Sequence, residues 1–166
     1  MVNQIIDVMV VFDAETIVKK VSPGTEQSPA YCPHDLIHMV TNSGNVISGN
    51  AGAELNIAAQ VGDGIRWRKT TLSFNTNYRV ILYKFVATGG QDLISPPQPI
   101  LVNVKVPLPD PADPTNPSTQ VIKQDFWQCI SFMEGRVMYH FYFMIMDRDQ
   151  NVLGYYWWDP YITIKN

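Results

Sequence analysis

Apolar residues alternate with other residues along several stretches of the chain, and this period of two predicts β-strands. Every second residue is apolar over residues 6–12, 55–61 and 100–106. Residues 78–86 are apolar on both faces except at Arg79 and Lys84. Because a strand that is apolar on both faces is covered on both sides, we expect this stretch in the middle of a sheet.

Glycine-containing turns separate four of the predicted strands. Gly62-Asp63-Gly64 leads residues 55–61 into residues 65–68, and Glu134-Gly135-Arg136 separates two aromatic runs over residues 121–133 and 137–146. Glycine adopts positive φ without steric cost, which short turns require. The sequence therefore predicts two hairpins.

One helix and one long loop complete the expected elements. Asp13 is placed to cap a short helix over residues 14–20, which Ser22-Pro23-Gly24 would end. Residues 107–117 contain five prolines, which lack the N–H donor that sheet pairing needs. We interpret residues 107–119 as a surface crossover loop between two sheets.

Together these elements predict an all-β fold: a two-sheet antiparallel β-sandwich, jelly-roll or immunoglobulin-like in architecture, with long loops and at most one short helix. The 166 residues suit one domain over residues 1–166.

Composition narrows the classes of function. Hydrophobic residues make up 46% of the chain and charged residues 16%, which predicts a folded protein with little charge repulsion between copies. The net charge of −3 argues against nucleic acid as a partner. No apolar stretch is long enough to cross a bilayer, and the first residues lack a signal-peptide pattern, so we expect no membrane association and a cytoplasmic location. We expect Cys32 and Cys129 to be reduced and partly buried.

A candidate metal site lies at Asp147, Asp149 and Asn151, whose oxygens have the i, i+2, i+4 spacing with which a calcium loop begins. The later positions of such a loop require Gly and a carboxylate, and here they hold Val152 and Trp158. A hairpin turn is the favoured interpretation, calcium is the minority one, and no other cofactor is expected.

The three histidines do not indicate an enzyme. His34 and His38 are four residues apart without the intervening glutamate of a zinc protease, and His140 lies in a strongly apolar stretch, as a buried histidine would. No glycine-flanked serine motif is present either. We expect no catalytic residues.

Aromatic residues are densest just before the C-terminus, where Tyr155, Trp157, Trp158 and Asp159 form the candidate ligand-binding residues. An indole ring stacks on the apolar face of a sugar while a nearby carboxylate accepts hydroxyl protons, so a glycan is a candidate partner. In a strand Trp157 and Trp158 face opposite ways, and one of them is expected in a core or an interface.

Several segments resemble the bacterial inclusion body protein family of the PixA/AidA type. They are the opening strand at residues 6–13, the block at residues 53–68, the segments at residues 80–84 and 106–109, and residues 153–160 with their Trp-Trp-Asp-Pro ending. The resemblance implies an abundant intracellular bacterial protein, deposited in some species as cytoplasmic inclusions and linked in others to quorum sensing and host association. It supplies no catalytic residues.

Two hypotheses follow for the function. The first is a non-enzymatic, self-assembling inclusion body protein that forms homo-oligomers, with a dimer favoured. The alternative is a lectin-like, carbohydrate-binding β-sandwich module.

Overall fold

The computed structural model describes residues 3–166, which form twelve strands and one α-helix together with short 3₁₀ turns. The elements in chain order are β1 (Ile5–Phe12), α1 (Ala14–Lys20), β2 (Ala30–Tyr31), β3 (Ile37–Val40), β4 (Val46–Ser48), β5 (Asn56–Gln60), β6 (Gly64–Thr71), β7 (Tyr78–Gly89), β8 (Gln98–Leu108), β9 (Ser118–Ile130), β10 (Gly135–Asp147), β11 (Val152–Trp158) and β12 (Tyr161–Lys165).

The strands form two sheets, and the predicted all-β sandwich is confirmed. The first sheet has the order β3-β1-β6-β9-β8, and the second has the order β2-β11-β10-β12-β5-β4 with β7 paired to β10. The sheets are mixed and not antiparallel throughout, because β1 pairs with β6, β2 with β11, and β5 with β12 in parallel. These parallel partners are distant in the sequence, so the local alternation could not reveal their direction.

Aromatic side chains fill the space between the two sheets. Trp67 from the first sheet donates its indole N–H to Tyr139 Oη of the second sheet over 3.0 Å. Trp158 stacks on Phe141 with ring centroids 5.6 Å apart. All four side chains are fully buried. Large rings that also satisfy their polar atoms give the sandwich a well-specified core.

The first strand and the helix confirm the sequence predictions. The alternate residues of β1 that begin at Ile6 are buried. Asp13 caps α1 by accepting a hydrogen bond from the Thr16 N–H, 3.1 Å away. Inside α1, Lys19 lies 2.5 Å from Glu15 one turn earlier. The helix is short, and no helix within residues 3–166 has the length and hydropathy needed to span a bilayer.

The two predicted hairpins are wrong, because both turns carry the chain from one sheet to the other. β5 belongs to the second sheet and β6 to the first, while β9 belongs to the first and β10 to the second. The two crossings are hydrogen bonded to each other: Gly62 N donates to Ser131 O and Ser131 N donates to Asp63 O, each over 2.9 Å. We call this pair of crossings the junction.

Buried polar groups stabilise the junction. The carboxylate of Asp63 is fully buried and accepts hydrogen bonds from Gln60 N and Gln4 Nε2, each 2.8 Å away. The Ser131 hydroxyl donates to Gln60 O over 2.6 Å. Gly62 has a φ of 93°, which only glycine adopts easily. These long-range bonds replace the hairpin ladder that the sequence suggested.

The proline-rich loop also differs from its prediction as a crossover between sheets. β8 and β9 are antiparallel neighbours in one sheet, paired from Gln98–Gln128 to Leu108–Ser118. The loop therefore closes a long hairpin, and its prolines lie beyond the last pair except for Pro107, which is paired with Thr119 in the ribbon. β7 likewise differs from its predicted central position, since within residues 3–166 its only partner strand is β10 and it lies at a sheet edge.

Both cysteines are free thiols, as expected, but they are fully buried and not partly buried as predicted. Cys129 lies in β9 and Cys32 follows β2. Burial raises the pKa of each thiol to about 12, with the Asp35 carboxylate adding to the effect at Cys32.

Candidate functional site

The outer surface of the second sheet carries a row of aromatic side chains. Alternation along β11 buries Tyr156 and Trp158 and leaves Tyr155 and Trp157 half-buried on the outside. Trp157 lies directly opposite Tyr142 of β10 in the strand pairing. We call the outer row, Tyr31, Tyr83, His140, Tyr142, Tyr155 and Trp157, the aromatic face.

At one end of this aromatic face, Trp157 contacts two other rings. Its ring stacks on His140 with centroids 4.3 Å apart and meets Tyr31 edge-on at 4.9 Å. At the other end Tyr83 meets Tyr155 edge-on at 5.7 Å. Each ring is thus held by a neighbour, so the aromatic face is ordered before any ligand arrives.

Polar groups adjoin Trp157 at the edge of the sheet. His34 Nε2 lies 3.2 Å from Asp159 Oδ1, and His34 Nδ1 lies 3.5 Å from Glu54 Oε2. The Tyr31 hydroxyl is hydrogen bonded to His34 Nε2. These three side chains of the polar edge, His34, Glu54 and Asp159, are between 35% and 49% exposed, so the site is shallow and open.

Electrostatics keep the Tyr31 hydroxyl protonated. Burial raises the pKa of Tyr31 to about 12, and the carboxylates of Asp159 and Glu54 add to the increase. The site places the Tyr31 hydroxyl, which is hydrogen bonded to His34, and the carboxyl groups of Asp159 and Glu54 beside an indole ring.

Of the four candidate ligand-binding residues, the structure brings three to the outer surface and removes one. Tyr155, Trp157 and Asp159 lie at the aromatic face and its polar edge. Trp158 is fully buried, and its indole N–H points to Met39 Sδ at 3.3 Å. Trp158 cannot touch a ligand on the outer surface, as the opposite orientation of neighbouring strand residues required.

The histidines differ from the interpretation made on sequence alone. His140 is half-buried on the aromatic face and does not lie in the core. His34 belongs to the polar edge, whereas His38 lies in β3 and its Nδ1 lies 3.2 Å from Ala51 O. Within residues 3–166 no serine, threonine or cysteine side chain is hydrogen bonded to a histidine ring.

The candidate metal residues form the turn between β10 and β11. Asp147 Oδ1 accepts hydrogen bonds from Asp149 N and Asn151 N, and its Oδ2 accepts one from Asn151 Nδ2, all over 2.9 Å. These bonds from Asn151 and Asp149 lower the pKa of Asp147. In the described part of the chain, no group of three or more His, Cys, Asp or Glu side chains could hold a metal ion. Calcium stays a prediction.

The β8–β9 hairpin extends beyond the sandwich, and the strand pattern of the sequence did not predict this. β9 pairs with β6 only from Trp127 to Ile130, whereas β8 and β9 continue as a two-stranded ribbon down to Leu108 and Ser118. We call residues 100–125 the arm. Leu101 is 78% exposed and Val121 62% exposed.

A cleft opens where β9 diverges from β6 at the base of the arm. Its volume is about 660 Å³, and it is lined by parts of β1, β6, β7, β9 and β10 together with the loops after β6 and β10. The side chains include apolar Met9, Phe74 and Ile81, and basic Arg79 and Lys123. An ion pair between Lys69 and Asp125 spans it.

Fold and sequence comparisons place the chain in a class and then in a family. The crystal structure of an inclusion body protein from Burkholderia cenocepacia J2315 superimposes with a TM-score of 0.82 at 18% identity, covering 99% of this chain and 98% of that one. This likeness shows a shared β-sandwich fold. The family model described as "PixA: Inclusion body protein" matches residues 4–164. The chain therefore belongs to the PixA inclusion body protein family. A comparison with curated proteins finds no match.

Proposed function

We propose that this protein is a non-enzymatic, self-assembling protein that forms homo-oligomers and is stored in cytoplasmic inclusion bodies. The observation that carries the proposal is the arm, a ribbon with apolar side chains exposed on a part of the chain that no other strand of the same copy covers. Isolated two-stranded ribbons are marginally stable in water, so contact with another copy stabilises the arm.

Family membership supports the storage part of the proposal, since the family is described by inclusion bodies. The low charge supports it as well: with 16% charged residues and a net charge of −3, repulsion between copies is weak. Sedimentation velocity and light scattering at rising protein concentration test the proposal. We expect a dimer and larger species to grow with concentration, and a protein that stays monomeric throughout would contradict it.

Regulation is a separate part of the proposal. The family resemblance links such proteins to high cell density, quorum sensing and host association, and we propose that this protein accumulates in the same way. Quantitative immunoblots through the growth curve, with and without conditioned medium from dense cultures, test it. Equal amounts of protein per cell at all densities would contradict this part and leave self-assembly untouched.

Carbohydrate binding is the second candidate function. The observation that favours it is Trp157, whose ring is held by His140 and Tyr31 beside the carboxylate of Asp159. One indole ring for stacking, together with a carboxylate that accepts hydrogen bonds, suits the binding of a single sugar unit at a shallow site.

A glycan array tests this candidate with the variants Trp157→Ala and Asp159→Asn. Phe132→Ala is the matched control, because Phe132 is an aromatic residue that is 53% exposed outside the aromatic face. Binding that disappears in the first two variants and persists in the control supports the candidate. An array without signal for the unmodified protein contradicts it.

A further inference from the structure

The arm lacks the layer that a sandwich strand normally faces. Asp125 is ion-paired with Lys69, and Trp127, two residues later, belongs to the core, so this face of β9 points to the inside of the sandwich. Leu101 of β8 is paired with Asp125 and lies on the same face, as do Val121 of β9 and the polar residues Asn103, Lys105 and Lys123. Leu101 and Val121 are nevertheless largely exposed, so no strand of the second sheet covers them. Within the sandwich, the corresponding face is covered by aromatic side chains.

The two ends of the arm differ in charge. The loop at its tip carries Asp110 and Asp113, and no lysine or arginine lies between Lys105 and Lys123. The cleft at its base is lined by four basic residues and one acidic residue, namely Arg68, Lys69, Arg79, Lys123 and Asp125. Arg68 is paired with Asp7 and Lys69 with Asp125.

Two of these basic side chains are available to a partner. Arg79 and Lys123 form no ion pair with any of residues 3–166, and both are exposed. The tip itself is preorganised: Asp110 and Asp113 accept backbone hydrogen bonds from Ala112 and Thr115, and prolines restrict the chain between them. Little conformational entropy is lost when such a loop binds.

We propose that the arm is covered by the arm of a second copy, packed face to face in the antiparallel direction. Leu101 and Val121 of each copy then lie against the arm of the other. The antiparallel direction brings the acidic tip of each copy to the basic cleft of its partner, so both charge contacts form twice in one closed dimer. This inference deepens the self-assembly proposed above and rests on it.

The length of the arm and the volume of the cleft are compatible with two overlapping arms. From Leu101 to Leu108 the arm extends roughly 23 Å at about 3.3 Å per residue, so two overlapping arms bring each tip close to the base of the other. The cleft volume of about 660 Å³ accommodates a few side chains of the incoming loop. Apolar Met9, Phe74 and Ile81 in the cleft offer contacts to the proline rings.

A charge exchange between two variants tests the proposal on the full chain. The tip variant is Asp110→Lys with Asp113→Lys, and the cleft variant is Arg79→Glu with Lys123→Glu. All four side chains are exposed, so both variants should fold, which circular dichroism checks. We expect each variant alone to weaken self-association about tenfold or more, because like charges then meet at both contacts. An equimolar mixture should restore it, because every tip then faces a cleft of opposite charge.

The apolar contact has its own variant and control. Leu101→Glu should abolish the dimer, whereas Ile47→Glu, at a residue of β4 that is 45% exposed and lies away from the arm, should leave it intact. If the unmodified protein is monomeric at every concentration, both this inference and the proposed function are contradicted. If it associates but the tip, cleft and Leu101→Glu variants associate equally well, only this inference is overturned. Restoration by the mixture would support it.

Discussion

The strands of the sandwich and of the arm both have a face that points to the inside of the molecule, but that face is buried in the sandwich and exposed in the arm. In the sandwich, alternate residues meet a facing sheet, and Trp67, Trp158 and Tyr139 are fully buried with their polar atoms close to a partner. In the arm, Leu101 and Val121 point in the core direction and meet no facing strand. The apolar alternation of β8, at residues 100, 102, 104 and 106, lies on the opposite face of the arm and is half-buried. The difference teaches that alternation specifies a strand with an apolar face, but not whether a second layer covers the other face.

The largest expected effect comes from the sandwich. Trp158→Ala removes a fully buried ring that packs on Phe12, Phe141 and Phe143, and we expect the free energy of unfolding to fall by about 3–5 kcal/mol. Leu101→Ala is the matched variant in the arm, where we expect a change within about 0.5 kcal/mol at low protein concentration. Urea denaturation measures both. Similar losses in the two variants would erase the distinction between sandwich and arm.

The junction gives the next largest effect. Ser131→Ala removes the hydroxyl that bonds to Gln60 O and Asp63 O, leaving buried backbone groups with fewer partners. We expect the free energy of unfolding to fall by about 1–3 kcal/mol. Ser118→Ala, at an exposed serine where β9 begins, is the control and should have no measurable effect. An unchanged urea midpoint for Ser131→Ala would show that the junction bonds contribute nothing.

Cys129 lies in the part of β9 that is buried in the core, and the pKa of its thiol reports on this burial. Burial raises its folded-state pKa to about 12, whereas an unfolded cysteine has a pKa of about 8.5. Because the unfolded chain releases this proton first, the thiol's contribution to stability is complete below pH 8.5 and is lost as pH rises towards 12. Between pH 8 and pH 10 we expect about 2 kcal/mol of the free energy of unfolding to disappear through this group.

Cys129→Ala should remove that part of the pH dependence, measured by urea denaturation at the two pH values. Leu101→Cys places a thiol on the exposed arm and should react rapidly with a thiol reagent in the folded monomer, whereas Cys129 should react only on unfolding. Rapid reaction of Cys129 in the folded protein would place this part of β9 outside the core.

The smallest effect belongs to the turn between β10 and β11. Hydrogen bonds from Asn151 and Asp149 lower the pKa of Asp147, so Asn151→Ala should raise it towards the ordinary value, as followed by NMR titration. The stability from these bonds is present above the unfolded pKa of Asp147 and is lost as pH falls through its lowered folded pKa. Asp149→Ala, which keeps the backbone donor, is the control. An unchanged pKa in Asn151→Ala would refute this account of the turn.

Local patterns in the sequence predicted the longer strands, the α1 cap at Asp13 and the opposite orientation of Trp157 and Trp158, but not the short strands β2, β4 and β12. They did not predict pairing. The turn at Gly62 looks like a hairpin turn in isolation, and the bonds that make it a crossing come from Ser131. The polar edge could not be predicted for the same reason, because His34 and Asp159 are 125 residues apart in the chain.

The arm was missed because its residues alternate as those of any strand do. Its exposure depends on where the second sheet ends, which no single stretch encodes. One signal was present in the sequence: the prolines in residues 107–117 indicated that strand pairing ends within this segment, and it ends after Leu108. The interpretation as a crossover placed the flanking strands in different sheets, whereas an antiparallel pair closed by the same loop also satisfies the prolines.

Hydrogen–deuterium exchange measured as a function of protein concentration tests the central claim most directly, because it reports on sandwich and arm in one experiment. We expect amides of β8 and β9 within residues 100–125 to become more protected as concentration rises, while those of β10 and β11 stay equally protected throughout. Arm exchange that is rapid and independent of concentration would contradict the claim that a second copy covers the arm.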